Sequence, residues 1–427
     1  MSIVNLLNKQ TGRVALAAAS AICVFSLAIN TASAGDREKA KFIHDRIAGV
    51  APSNAVLTSM TADITGGNVD AAVDTAMNNI NFLNVTVKNM VIPWTNKEET
   101  VFFPFNDAAA TIAGYIRDGR DFRGILFDDR IYTVNGASPG YSPSNNDHYI
   151  NAEHQNINLR TALQTNTQST VTSYPPEAIA GVMTTRASAR AFFYAGTNRA
   201  MFRSTMLNYL CTDMEQVKDI TRTNDYIRQD VTRGPGGDSD VFLNNCIGCH
   251  AGMDGMGGAF AYHQWGPAVF DPDADPEPQS MTYVTTPALY DIDGVTIDTA
   301  TRVVHKYRQN PTNFKFGYVP ADNNWVNYWR TGVNAKLGWG KDAALTPTNV
   351  PQAPIRGNTA AELGRELANT EAFARCQVTK VYRHVCHSDP SESDLQTITG
   401  SFTASTYNMQ TVYRESVKVC MGTNPNL

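Results

Sequence analysis

Residues 241–256 read VFLNNCIGCHAGMDGM, and inside them Cys246 and Cys249 stand two residues apart with His250 directly after. This feature constrains the fold most, because whatever surrounds it must serve two thiols and an imidazole at fixed spacing. Three chemistries use such a pair: a redox dithiol, half of a zinc site, and covalent attachment of haem. A thioredoxin-like dithiol belongs between a strand and a helix, whereas the residues before Cys246 have a helical pattern. A zinc ribbon wants a second Cys or His pair at matching spacing, and the remaining cysteines are scattered singly. Haem attachment needs one thiol for each vinyl group and an imidazole carried under the iron. C-x-x-C-H is the sequence form of that geometry. At this chain's frequencies of Cys and His the pattern should arise by chance about 0.002 times. We therefore expect one covalently bound haem c, with Cys246 and Cys249 as its thioether partners and His250 as the proximal iron ligand.

The surrounding residues extend this expectation. Asp238 or Ser239 can cap a short helix through Val241, Phe242 and Leu243 that delivers the cysteines. The following AGMDGMGG (251–258) is expected to break that helix, its glycines letting the backbone approach the porphyrin. A Met or His as sixth ligand would make an electron-transfer iron, and an open distal side would permit ligand or peroxide chemistry. Met281, Met183 and His305 are the candidates, with His263 and Met421 also far enough along the chain. Each competes with a plainer role, since Met usually fills core and a lone His is usually a hydrogen-bonded structural group.

At the N-terminus, Lys9 and Arg13 precede the apolar run VALAAASAICVFSLAI, and Ala32-Ser33-Ala34 follows. That order is the pattern of a secretory signal peptide, with cleavage expected after Ala34 and a periplasmic or otherwise exported product. The run is short for a membrane span, and no later stretch is long and apolar enough to be one. Without Cys23 and the haem pair, Cys211, Cys376, Cys386 and Cys420 remain, enough for two disulfides in three possible ways. A net charge of −5 with 18% charged residues gives no footprint for nucleic acid.

Along the chain the pattern is mainly helical, with an amphipathic segment at 36–50 and helical patterns at 66–91, 108–119, 177–211, 360–386 and 403–420. Asn106-Asp107 is the expected cap of the third of these. Residues 134–175, rich in Asn, Ser, Thr, Gly and Pro, read as a long surface excursion. FDPDADPEP (270–278) reads as a solvated acidic loop, since Pro276 and Thr282 stand where a calcium-binding EF-hand wants Gly and Glu. LYDIDGVTID (289–298) has the Asp-Gly signal of a small hairpin. Trp325, Trp329 and Trp339 either shield the haem or pack a core. The expected division is a signal peptide at 1–34, a helical region at 35–176, and a haem-bearing, cytochrome-c-like helical region at 177–427 with long irregular loops and a small β-hairpin.

Several stretches, in order, resemble the C-terminal region of planctomycete-type cytochrome c proteins, a large family also found in Proteobacteria whose role is mostly unassigned. They are FNDAAATIAGYIRDGRDFRGILFDDRIYTVNG, AGVMTTRASARAFFYAGTNRAMFRSTMLNYLC, CIGCHAGMDGMGGAFAYHQW, DIDGVTIDTA and ELGRELANTEAFARCQVTKVYRHV. The chain departs from the family at Gly255-Met256, where Pro-Leu is usual. Cys211 and Cys376 fall at family-like cysteine positions, so the resemblance implies the pairs Cys211–Cys376 and Cys386–Cys420. Cys376 and Cys386, ten apart on one expected helix, would lie about 15 Å from each other, too far to bond.

The reading that follows is an exported monohaem c-type cytochrome in electron transfer, as a carrier or the electron-accepting subunit of a complex, with a redox protein as partner. A haem enzyme with an open distal site and Arg302, His305 or His263 over the iron is the first alternative. A haem-stabilised binding or assembly protein is the second. No substrate is indicated by the sequence.

Overall fold

The computed structural model describes residues 35–193, 198–222, 242–266, 279–285, 322–346 and 355–423. The expected leader at 1–34, the expected acidic loop at 270–278, the expected hairpin at 289–298, Arg302 and His305 lie outside the described residues. So do Asp238, Ser239 and Val241.

The chain starts with three helices, α1 (Asp36–Ala48), α2 (Asn54–Thr65) and α3 (Val69–Met77), which pack on one another. Their ends follow local chemistry: Ser53 and Asn68 accept amide hydrogen bonds at two N-termini, and Gly49 closes α1 at φ 72°. α4 (Asp107–Asp118) starts as expected, with Asn106 Oδ1 accepting from Ala109 N at 3.1 Å. It is buried along nearly its whole length.

Residues 134–175 are not a plain surface excursion. They hold the end of β1 (Ile131–Val134), α5 (Asp147–His154) and β2 (Leu163–Asn166), which pairs antiparallel with β1. The polar composition misleads because many of its side chains are internal fasteners. Tyr149 is 1% exposed and its hydroxyl donates to Tyr132 O at 2.8 Å, while Asn146 Nδ2 donates to Phe105 O at 2.7 Å.

The expected block at 177–211 resolves into α6 (Arg186–Phe192) and α7 (Asn198–Leu210). Then come α8 (Ile247–Gly257), the pair β3 (His263–Trp265) with β4 (Met281–Tyr283), and β5 (Trp325–Asn327) with β6 (Ile355–Gly357). The segment 360–386 is two helices, α9 (Ala360–Ala368) and α10 (Glu371–Cys386). They part at Asn369, whose side chain bonds Asp342 backbone groups, and Thr370, whose hydroxyl caps α10. α11 (Glu392–Ala404) and α12 (Met409–Thr423) complete the chain.

The molecule is mainly helical, with small two-stranded antiparallel sheets. One buried cluster runs from Ala40 to Cys420, because α12 returns to pack on α1, α3 and α4. The packing is therefore continuous across the 176/177 division. No helix among the described residues is long and apolar enough to cross a membrane.

Candidate haem-attachment site

Cys246 ends a π-helical turn, Phe242–Cys246, that runs directly into α8. Helix α8 does not stop at its glycines, as the sequence reading expected, but continues through Gly257. Gly248, Gly252 and Gly255 fall at i, i+4 and i+7 and form one face. A Cβ at Gly252 would lie 2.0 Å from the Trp329 indole, and one at Gly255 would lie 3.0 Å from Val326 O. Gly252 and Gly255 thus admit Trp329 and β5 close to the helix, while Gly248 faces the Lys218 side chain. At about 100° per residue, Gly252 lies about 200° round the helix from His250. Trp329 is fully buried against this face of α8.

The support behind that face is polar and closed. Trp329 N donates to Asn327 Oδ1 at 2.7 Å, and Asn327 Nδ2 donates to Glu366 Oε1 at 2.8 Å. Arg330 grips the same carboxylate through Nε at 2.7 Å and a terminal nitrogen at 2.6 Å. Glu366 has 0% exposure, so its charge depends on these donors.

At the N-terminal end of α8, Cys246 and Cys249 are half-buried free thiols. The Cys249 thiol donates to Met214 O at 3.4 Å, and burial pushes it above the usual thiol range. The other described cysteines are joined, Cys211 to Cys376 and Cys386 to Cys420, the pairs that the resemblance implies. Cys376 and Cys386 both sit on α10.

His250 Nδ1 lies 3.0 Å from Asp254 Oδ2, one turn further along α8. From α7, Arg199 donates through Nε to Asp254 Oδ1 and through a terminal nitrogen to Oδ2, each at 2.8 Å. Burial opposes the Asp254 charge, but Arg199 and His250 outweigh it and hold the carboxyl well below its usual range. This pair is not among the residues that the sequence singles out. The His-x-x-x-Asp spacing was its available signal. Arg199, fifty-five residues upstream, gave none.

Of the candidate distal groups, His305 lies outside the described residues, and those that are described have contacts of their own. Met183 is 1% exposed and its sulfur accepts from Thr205 Oγ1 at 3.4 Å. Met281 is 1% exposed on β4, opposite Trp265. His263 is buried, bonds Ala178 O through Nε2 at 2.8 Å and stacks on Phe193. Met421 packs, partly buried, against the main core. The chain matches no known family model, no curated protein and no solved structure.

Proposed function

We propose that the protein is an exported monohaem c-type cytochrome that passes electrons, as a carrier or as the accepting subunit of a complex. Cys246 and Cys249 would hold the haem by thioether bonds, and His250 would ligate its iron from the proximal side. The observation that carries this reading is the contrast among cysteines. Four described cysteines are closed in disulfides, while the pair in C-x-x-C-H is free, half-exposed and one helical turn apart. Two available thiols and an imidazole already oriented by a carboxylate are the donor set covalent haem requires. The bound group would supply a one-electron iron couple. The chain's residues would anchor it, orient its ligand and set how far water reaches it.

The resemblance to planctomycete-type cytochrome c proteins agrees with this reading and implies the same three residues. The leader at 1–34 and the disulfides suit an oxidising, exported location.

The test is an absorption spectrum of the exported chain, oxidised and reduced, with and without carbon monoxide. A c-type spectrum that carbon monoxide leaves unchanged supports electron transfer with a protein sixth ligand. Prompt carbon monoxide binding moves the function to haem enzymology, and absence of covalent haem overturns the reading.

A further inference from the structure

We propose that Asp254, braced by Arg199, is the positioning residue of His250: it accepts a hydrogen bond from Nδ1 and makes Nε2 a strong donor toward a haem iron. The proposal rests on the haem reading of Cys246, Cys249 and His250 and goes beyond it by assigning what tunes the ligand.

The geometry comes first. His250 and Asp254 stand i, i+4 on α8, so their side chains share a face. The contact is 3.0 Å, and the Asp254 side chain is only 6% exposed, which keeps water from replacing it. Arg199 fixes both carboxylate oxygens at once, each at 2.8 Å, so the group cannot turn away from the ring. A carboxylate held in that two-pronged ion pair has no proton to give. With the carboxylate as acceptor, the hydrogen in this contact is the one on Nδ1, and in a neutral imidazole that arrangement places the lone pair on Nε2.

The chemistry follows from this tautomer. A carboxylate behind a metal-bound imidazole fixes its orientation and raises its basicity. A more basic ligand favours the ferric over the ferrous ion, so Asp254 lowers the reduction potential. Arg199 opposes this in part, because it draws charge from the oxygen that His250 faces. The pair thus works as a setting, with one residue pushing electron density toward the ligand and the other restraining it. No bond is made or broken, and the proton stays between Nδ1 and Oδ2.

The experiment uses the full haem-loaded chain and compares Asp254→Asn with Arg199→Gln by spectroelectrochemical titration and ferric electron paramagnetic resonance. Asp254→Asn is expected to shift the reduction equilibrium at least tenfold toward ferrous, about 59 mV for one electron. It should also change the axial-ligand signature in the resonance spectrum. Arg199→Gln is expected to shift the equilibrium the other way, which a merely structural pair would not do. Unchanged potential and spectrum in Asp254→Asn, or shifts of the same sign in both variants, overturn the proposal. If Asp254→Asn fails to take up haem, Arg199→Gln decides alone: a shift toward ferric supports the assignment and no shift overturns it. A wild-type chain without covalent haem refutes the underlying reading instead, so the two failures are distinct.

Discussion

At the residue scale, two glycines of one helix carry opposite expectations. A Cβ at Gly252 would lie 2.0 Å from the buried Trp329 ring, whereas one at Gly257 would have nothing within 4 Å. Gly252→Ala should cost about 1–3 kcal/mol through overpacking. Gly257→Ala should stabilise by about 0.5–1 kcal/mol, since alanine restricts the unfolded chain and suits a helix better. Denaturant midpoints of both variants check this. Lys380 makes a second residue-scale case. Its ammonium lies 4.1 Å from the Trp94 ring centre, and burial lowers its pKa to about 7, with Glu99 pulling the other way. A lysine in the unfolded chain titrates near about 10.4, so between these values the unfolded state binds more protons. The contribution of Lys380 to stability therefore rises with pH from about 7 to about 10. Lys380→Met should flatten that rise, which unfolding midpoints at pH 7 and 9.5 will read by comparison with wild type.

At the element scale, helices were legible where short polar residues announce their ends. Asn106 before α4 was identified as a cap, and it caps in the structure. The break between α9 and α10 was hidden, because Asn369 and Thr370 leave the apolar spacing intact and act through hydrogen bonds to a distant loop. The segment 134–175 was misread because polar side chains that fasten a fold look in sequence like polar side chains that face water. In the candidate site, spacing alone singles out the thiols and His250, whereas the packing of Gly252 and Gly255 on Trp329 and β5 has no signal in the sequence. Glu366 was not singled out, although it ties α9 to the β5 turn behind α8. Glu366→Ala should leave Arg330 without its buried partner and cost about 3–5 kcal/mol, measurable as a loss of melting temperature.

At the scale of the whole molecule, α10 joins the parts. Cys376 binds it to the end of α7, and Cys386 binds it to α12, which in turn lies on the first helices. The Cys211–Cys376 link spans 165 residues of sequence. Replacing both cysteines with serine should cost about 2–5 kcal/mol, seen as a lower denaturation midpoint in the oxidised protein only. Helix α7, tied to α10 by that link, also packs on α8, and across this contact Arg199 reaches Asp254.

The most direct measurement of the central claim is the intact mass of the exported full chain, denatured, after production in cells able to attach haem c. It should be compared with a Cys246→Ser, Cys249→Ser double variant. The account expects one haem that stays with the denatured wild-type chain and is absent from the variant. A wild-type mass equal to that of the bare chain, with Cys246 and Cys249 free or joined to each other, would contradict it.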